Sequence, residues 1–210
     1  MTDYYSEAAR SAPYIPAQER QSALALNDDL VSQGIIPDRA AGAGNLADIA
    51  PMFPDKSMIG EAVTASSKIQ YIRPDAGAEE INRALAQASN AFKETPTQIA
   101  DSMMYVYENV GDRQQDLFDT FWEYSPYFES ANTNSAQMAN FLTKTVDEGA
   151  FNFDKPADFF KETFGVKALN ADDMAKYFET RGSGKKTLLT KPKRSQKTLT
   201  LEIIKSNKGL

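Results

Sequence analysis

Apolar positions recur three and four residues apart through most of the second half of the chain, the spacing that lines them along one face of an α-helix. In "DAGAEEINRALAQASNAFKE" (75–94) they are Ile81, Leu85, Ala88 and Phe92, and the early acids Glu79 and Glu80 suit the positive end of a helix dipole. Thr95 and Pro96 read as cap and first turn of the next helix, "TPTQIADSMMYVYENVG" (95–111). Its face carries Ile99, Met103, Val106 and Val110, and Gly111 is its stop. "DRQQDLFDTFWEYSP" (112–126) presents Leu117, Phe118, Phe121 and Trp122 and is expected to end at Pro126. "NSAQMANFLTKTVDEG" (134–149) brings Met138, Phe141, Leu142 and Val146, capped by Asn134 or Ser135 and closed by Gly149. "KPADFFKETFG" (155–165) and "NADDMAKYFETRG" (170–182) repeat the Pro or Asn start and the Gly stop in two shorter helices.

Outside this body the pattern changes. Residues 1–60 are rich in Ala, Ser, Pro, Asp and Gly and predict one helix, "PAQERQSALALNDDLVSQG" (16–34), with a thin stripe of Leu24, Leu26 and Leu30 and a stop at Gly34. "PDRAAGAGNLADIAPMFPD" (37–55) is punctuated by Pro and Gly and predicts an extended arm, whose Leu46, Ile49, Met52 and Phe53 would dock on another surface. Ile69 and Tyr71 alternate with Gln70, which predicts a short strand and connector over 61–75, broken at Pro74. In the tail, Leu199, Leu201 and Ile203 alternate with Thr198, Thr200 and Glu202, the mark of a strand with one apolar face that adds to a sheet edge. The expected fold is therefore mainly α. An irregular bundle of short helices spans 76–181, with an extended N-terminal arm over 1–60 and a basic, β-prone C-terminal arm over 182–210.

Sixteen of the 22 aromatic residues lie between Tyr105 and Phe178, which places the core of the bundle there. The run "FDTFWEYSPYF" could stack nucleic-acid bases, but its helical spacing and the acids Asp116, Asp119 and Glu123 favour packing. The net charge of −6 is unevenly divided. Residues 181–210 hold nine cations and one acid, whereas the first 180 residues hold 14 cations and 28 acids. No stretch approaches a membrane span and no basic-then-apolar leader is present, so the expectation is a soluble, non-secreted protein.

Chemistry has few places to start. With no Cys and no His there is neither a thiolate site nor the usual general base, so catalysis would rest on carboxylates, lysines or tyrosines. "RGSGKKT" (181–187) fails as a phosphate loop: Glu179 stands where the first glycine belongs, Lys186 replaces the hydroxyl, and a helical pattern precedes it. Gly182 and Gly184 instead end the last helix and free the arm. The acid pairs Asp28/Asp29 and Asp172/Asp173 lack the spacing of a calcium loop and read as solvated helix acids. No catalytic, cofactor or metal residue is expected, and no small-molecule substrate. The contact residues expected are Lys185, Lys186, Lys191, Lys193, Arg194 and Lys197, with Leu199, Leu201 and Ile203 for strand addition. These cations suit the acidic body of another copy, and alternatively the phosphate backbone of nucleic acid.

An apolar-studded amino-terminal arm, a compact helical body, a basic strand-forming tail and the lack of His and Cys together give the chain a general character. It resembles the structural proteins of tailed-phage particles: neck, tail or internal ejection components. The resemblance implies a multi-copy, non-enzymatic virion subunit held by exchanged arms, with other structural proteins of the particle as partners and packaged DNA nearby.

Overall fold

A computed structural model describes residues 4–166, and the helical character holds throughout them. Nine helices are found among the described residues: α1 (Tyr4–Ser11), α2 (Arg20–Ser32), α3 (Arg39–Ile49), α4 (Ile59–Ile72), α5 (Ala78–Phe92), α6 (Pro96–Val110), α7 (Leu117–Ser130), α8 (Ser135–Asp147) and α9 (Asp154–Phe160). A π-helical turn, Lys161–Val166, continues α9. The helix and strand expected beyond residue 166 lie outside the described residues.

The starts of α6 and α8 follow the sequence directly. Thr95 accepts from the Gln98 amide while the Gln98 side chain accepts from the Thr95 amide, and Asn134 and Gln137 repeat this reciprocal cap. Gly34, Gly111 and Gly149 stand at helix ends with positive φ, as their stop positions require.

Three expectations are corrected. The arm expected over 1–60 is not extended in its described part, 4–60: residues 39–49 form α3, and Leu30, Leu46, Ile49 and Phe53 are buried in the core they share with α4, α5 and α7. The alanines favour a helix, and the cost of Gly42 and Gly44 within it is outweighed by close packing. A Cβ on Gly42 would lie 3.1 Å from the Asn27 side chain, so the glycine lets α2 and α3 approach. The strand expected at 61–73 is α4. Three alternating residues fit either period, but Ile59, Ala62, Val63, Ser66 and Ile69 share a buried face, and Tyr71 is 65% exposed. Pro126 does not end α7, which runs four residues further. An internal proline costs about 3 kcal/mol. The continued turn carries Phe128, which stacks on Phe160 at 3.8 Å between ring centroids and meets Phe141 edge to face.

Packing of α5 on α7, α6 on α8 and α1 on α3 makes the principal contacts. Ser102 hydrogen-bonds Ser135 and Tyr105 hydrogen-bonds Asn140, so position rises together along both helices and α6 and α8 run parallel. Their carboxyl ends consequently emerge side by side.

Phe159 and Phe160 are adjacent and chemically identical, yet one is 39% exposed and the other fully buried. Phe160→Ala should lower the unfolding free energy by about 3–5 kcal/mol. Phe159→Ala should cost about 1 kcal/mol or less, both read by denaturant titration.

Candidate functional site: a cavity at two parallel helix ends

Carboxylates hold the starts of four helices, and each reaches forward along the chain. Glu61 of α4 accepts from the Thr97 amide in the first turn of α6 at 3.1 Å. Glu94, between α5 and α6, accepts from the Ser135 amide at 3.4 Å and from its hydroxyl, at the start of α8. Asp112 accepts from the amides of Asp116 and Leu117, at the start of α7. Asp116 accepts from the amides of Phe153 and Asp154 at 3.1 Å each, at the start of α9. Every one of these amides is an orphan donor at the positive end of a dipole, where a carboxylate is stabilised.

The arginines are drawn inward in the same way. Arg73 is buried between Asp75 and Asp112, at 2.9 and 3.2 Å, under the rings of Tyr107 and Phe118. Its hydrogen bond to Asp75 holds the guanidinium above its ordinary range against the opposing effect of burial, and the same bond holds Asp75 below its own. Arg83 pairs with Asp119 and lies over Trp122, 4.3 Å from the ring centroid. Tyr124 donates to Asp154 at 2.8 Å; burial, then that carboxylate, raises the phenol above its usual value.

The helix ends present the opposite situation. An open cavity of about 550 Å³ lies where α6 and α8 finish, walled by the segments that follow each of them. Asn109, Val110, Gly111 and Arg113 line one side, Val146, Asp147, Gly149 and Phe151 the other, and Asp116 belongs to its wall. Asp116 Oδ1 is buried without a hydrogen-bond partner. Burial raises its carboxyl above the usual range, although the amides of Asp154 and Phe153 pull the other way. Phe151 is 78% exposed, the largest exposure among the described large apolar side chains.

None of the contact residues expected from the sequence can be placed here. Lys185, Lys186, Lys191, Lys193, Arg194, Lys197, Leu199, Leu201 and Ile203 lie outside the described residues, as do Gly182, Gly184, Asp172 and Asp173. Of the acid pair within them, Asp28 binds Arg39 at 2.5 Å and Asp29 accepts from Gln33 at 2.8 Å, which are structural roles. In the aromatic run, Phe118, Phe121, Tyr124 and Phe128 are buried and pack. Sequence reasoning missed the cavity because its two sides are 37 residues apart; the paired stops Gly111 and Gly149, with the apolar Phe151 just beyond, were its only trace.

Two carboxylates should give opposite pH slopes. Burial of Glu61 is outweighed by its hydrogen bonds, so its folded pKa is lowered and its stabilisation, present above the unfolded pKa, is lost as pH falls through the folded value. Asp116 has a raised folded pKa, so its contribution is present below the unfolded value and lost as pH rises through the folded one. Relative to the natural chain, Glu61→Gln should be destabilised at neutral pH with the gap closing in acid. Asp116→Asn should gain ground as pH rises, with urea midpoints from pH 3 to 7 as the measurement. No protein-family model matches the chain, and no curated protein or solved structure matches it.

Proposed function

We propose that the chain is a non-enzymatic structural subunit of a multi-copy assembly, joined to its neighbours through its basic carboxy-terminal arm. Segregation of charge carries this reading. Residues 4–166 hold 24 carboxylates and 12 cations, while 181–210 hold nine cations and one acid. Inside the body, Arg10, Arg39, Arg73 and Arg83 are already committed to Glu7, Asp28, Asp75, Asp112 and Asp119. The surplus of body acids is thus left for cations from elsewhere, and complementary patches on one chain permit head-to-tail association.

A virion setting, as neck, tail or internal ejection component, is the form of this reading that the chain's general character favours. The second reading, a nucleic-acid-associated protein, is favoured by the same nine cations, which could neutralise several phosphates. An excess of carboxylates on the body would oppose a phosphate backbone and favours the first.

Among the described residues no helix is long and apolar enough to cross a membrane. Light-scattering mass should show the full chain as a multimer that loses copies when residues 182–210 are removed, and that loosens at high salt. A monomer at all concentrations would sink the proposal. If the tail serves nucleic acid instead, the truncation will leave the mass per particle unchanged and abolish a steeply salt-dependent retention of duplex DNA.

A further inference from the structure

We infer that the cavity at the joined ends of α6 and α8 is the receptor for the basic segment 181–197 of this chain, and takes a lysine or arginine side chain against Phe151. The occupant rests on the arm-docking reading above; the place rests on observations of the cavity itself.

Helix ends need what helix starts have already received. The last carbonyls of a helix lack amide partners and carry a negative partial charge of about half a unit, which favours a cation close by. Of the two parallel ends here, α6 has no basic residue in its last turn and α8 has only Lys144, which is exposed and does not line the cavity. Capping at the end of α8 satisfies some of these carbonyls, through Gly149 to Val146 and Ala150 to Thr145 at 3.0 and 2.9 Å, without adding positive charge. Asp147 and Asp116 add two carboxylates to the wall, and Arg113 returns one positive charge. With the two negative half-charges of these helix ends, and the positive half-charges at the starts of α7 and α9 beside Asp116, the balance is about one negative charge.

The cavity also has the shape and the chemistry of a cation seat. An exposed aromatic face attracts an ammonium or guanidinium group, and a long aliphatic stem can lie along the same ring. Phe151 is left open to do both. On the other side of the pair, residues 181–197 carry Arg181, Lys185, Lys186, Lys191, Lys193, Arg194 and Lys197 and not one acid. The 14 residues from 167 to 180 would span up to about 45 Å if extended, and about 26 Å if 170–180 take the helix their sequence predicts.

The test places a photo-reactive p-benzoylphenylalanine at Phe151 in the full chain, an exposed position where a larger aromatic leaves the packing intact. Equal amounts of ordinary and nitrogen-15-labelled chains are mixed before irradiation and the cross-linked peptides sequenced by mass spectrometry. Cross-links should fall on residues 181–197, and their yield should drop several-fold in 1 M salt and in Asp147→Lys, a change that suits the end of α8 and so spares the fold. Cross-links confined to other segments, no cross-links, or a yield indifferent to both salt and Asp147→Lys would each overturn the assignment. Mixed-isotope pairs report an arm from a neighbour. If every pair is of one isotope, the cavity assignment stands and the exchanged-arm reading falls.

Discussion

Pairing of carboxylates with the amides at helix starts is the interaction on which the rest of this fold depends. A bundle of short helices exposes many orphan donors, and helices of 7 to 15 residues are marginal until their ends and faces are satisfied. Here the acids come from earlier in the chain: Glu61 serves α6, Glu94 serves α8, Asp112 serves α7 and Asp116 serves α9. Each link fixes where a later helix begins relative to an earlier one. Asp112 does so twice over, because its other oxygen accepts from Arg73, which ties the end of α4 to the start of α7. A buried pair of this kind adds little net stability against well-packed apolar groups, but losing one partner leaves a bare charge and is strongly destabilising.

Using acids in this way shapes the surface as well as the interior. Six of the twelve described cations are held in ion pairs, and α2 to α7 have no basic residue in their last turns. The starts of α6, α7, α8 and α9 are thus served from within the described body; Lys56 donates to the Ala50 and Phe53 carbonyls after α3, but α6 has no basic residue in its last turn and that of α8, Lys144, does not line the cavity. That local difference, added to net charge, is why the ends of α6 and α8 are the place proposed above for the basic segment.

Legibility in the sequence followed the reach of the interaction involved. Several local signals were read correctly because they act within a single turn: Thr95 as the cap of α6, Asn134 as one of the two caps offered for α8, and the stops at Gly111 and Gly149. Errors arose where tertiary packing overrode local preference. Gly42 and Gly44 look like linker residues until α2 and α1 are brought against them, and Pro126 looks like a terminator until Phe128 is seen stacked on Phe160. Ile69 and Tyr71 give an alternation too short to separate a strand from a helix. The long-range carboxylate caps had no local signature, since 36 to 41 residues separate Glu61 from Thr97 and Glu94 from Ser135, and the cavity left only the stops Gly111 and Gly149, with Phe151 beyond, as a trace.

Correction of the amino-terminal region changes the assembly reading itself. An extended arm over residues 1–60 would have given each subunit two tethers, and a chain of subunits could then be linked from both ends. With Leu30, Leu46, Ile49 and Phe53 built into the same core as Ile81, Leu85 and Phe121, residues 4–60 belong to the body, and only the carboxy-terminal segment is left to act as a tether. On the assembly proposed above, one arm and one receptor per subunit would define a heterologous contact, in which the donor surface differs from the acceptor surface. Such contacts close into a ring when the rotation between neighbours permits and otherwise continue as an open helical array, so symmetry is decided by the path from the end of the body to the cavity of the next subunit. Packing of the bodies against one another, rather than the tether, would then select between ring and array, with exposed apolar side chains such as Tyr71 and Phe159 available to it.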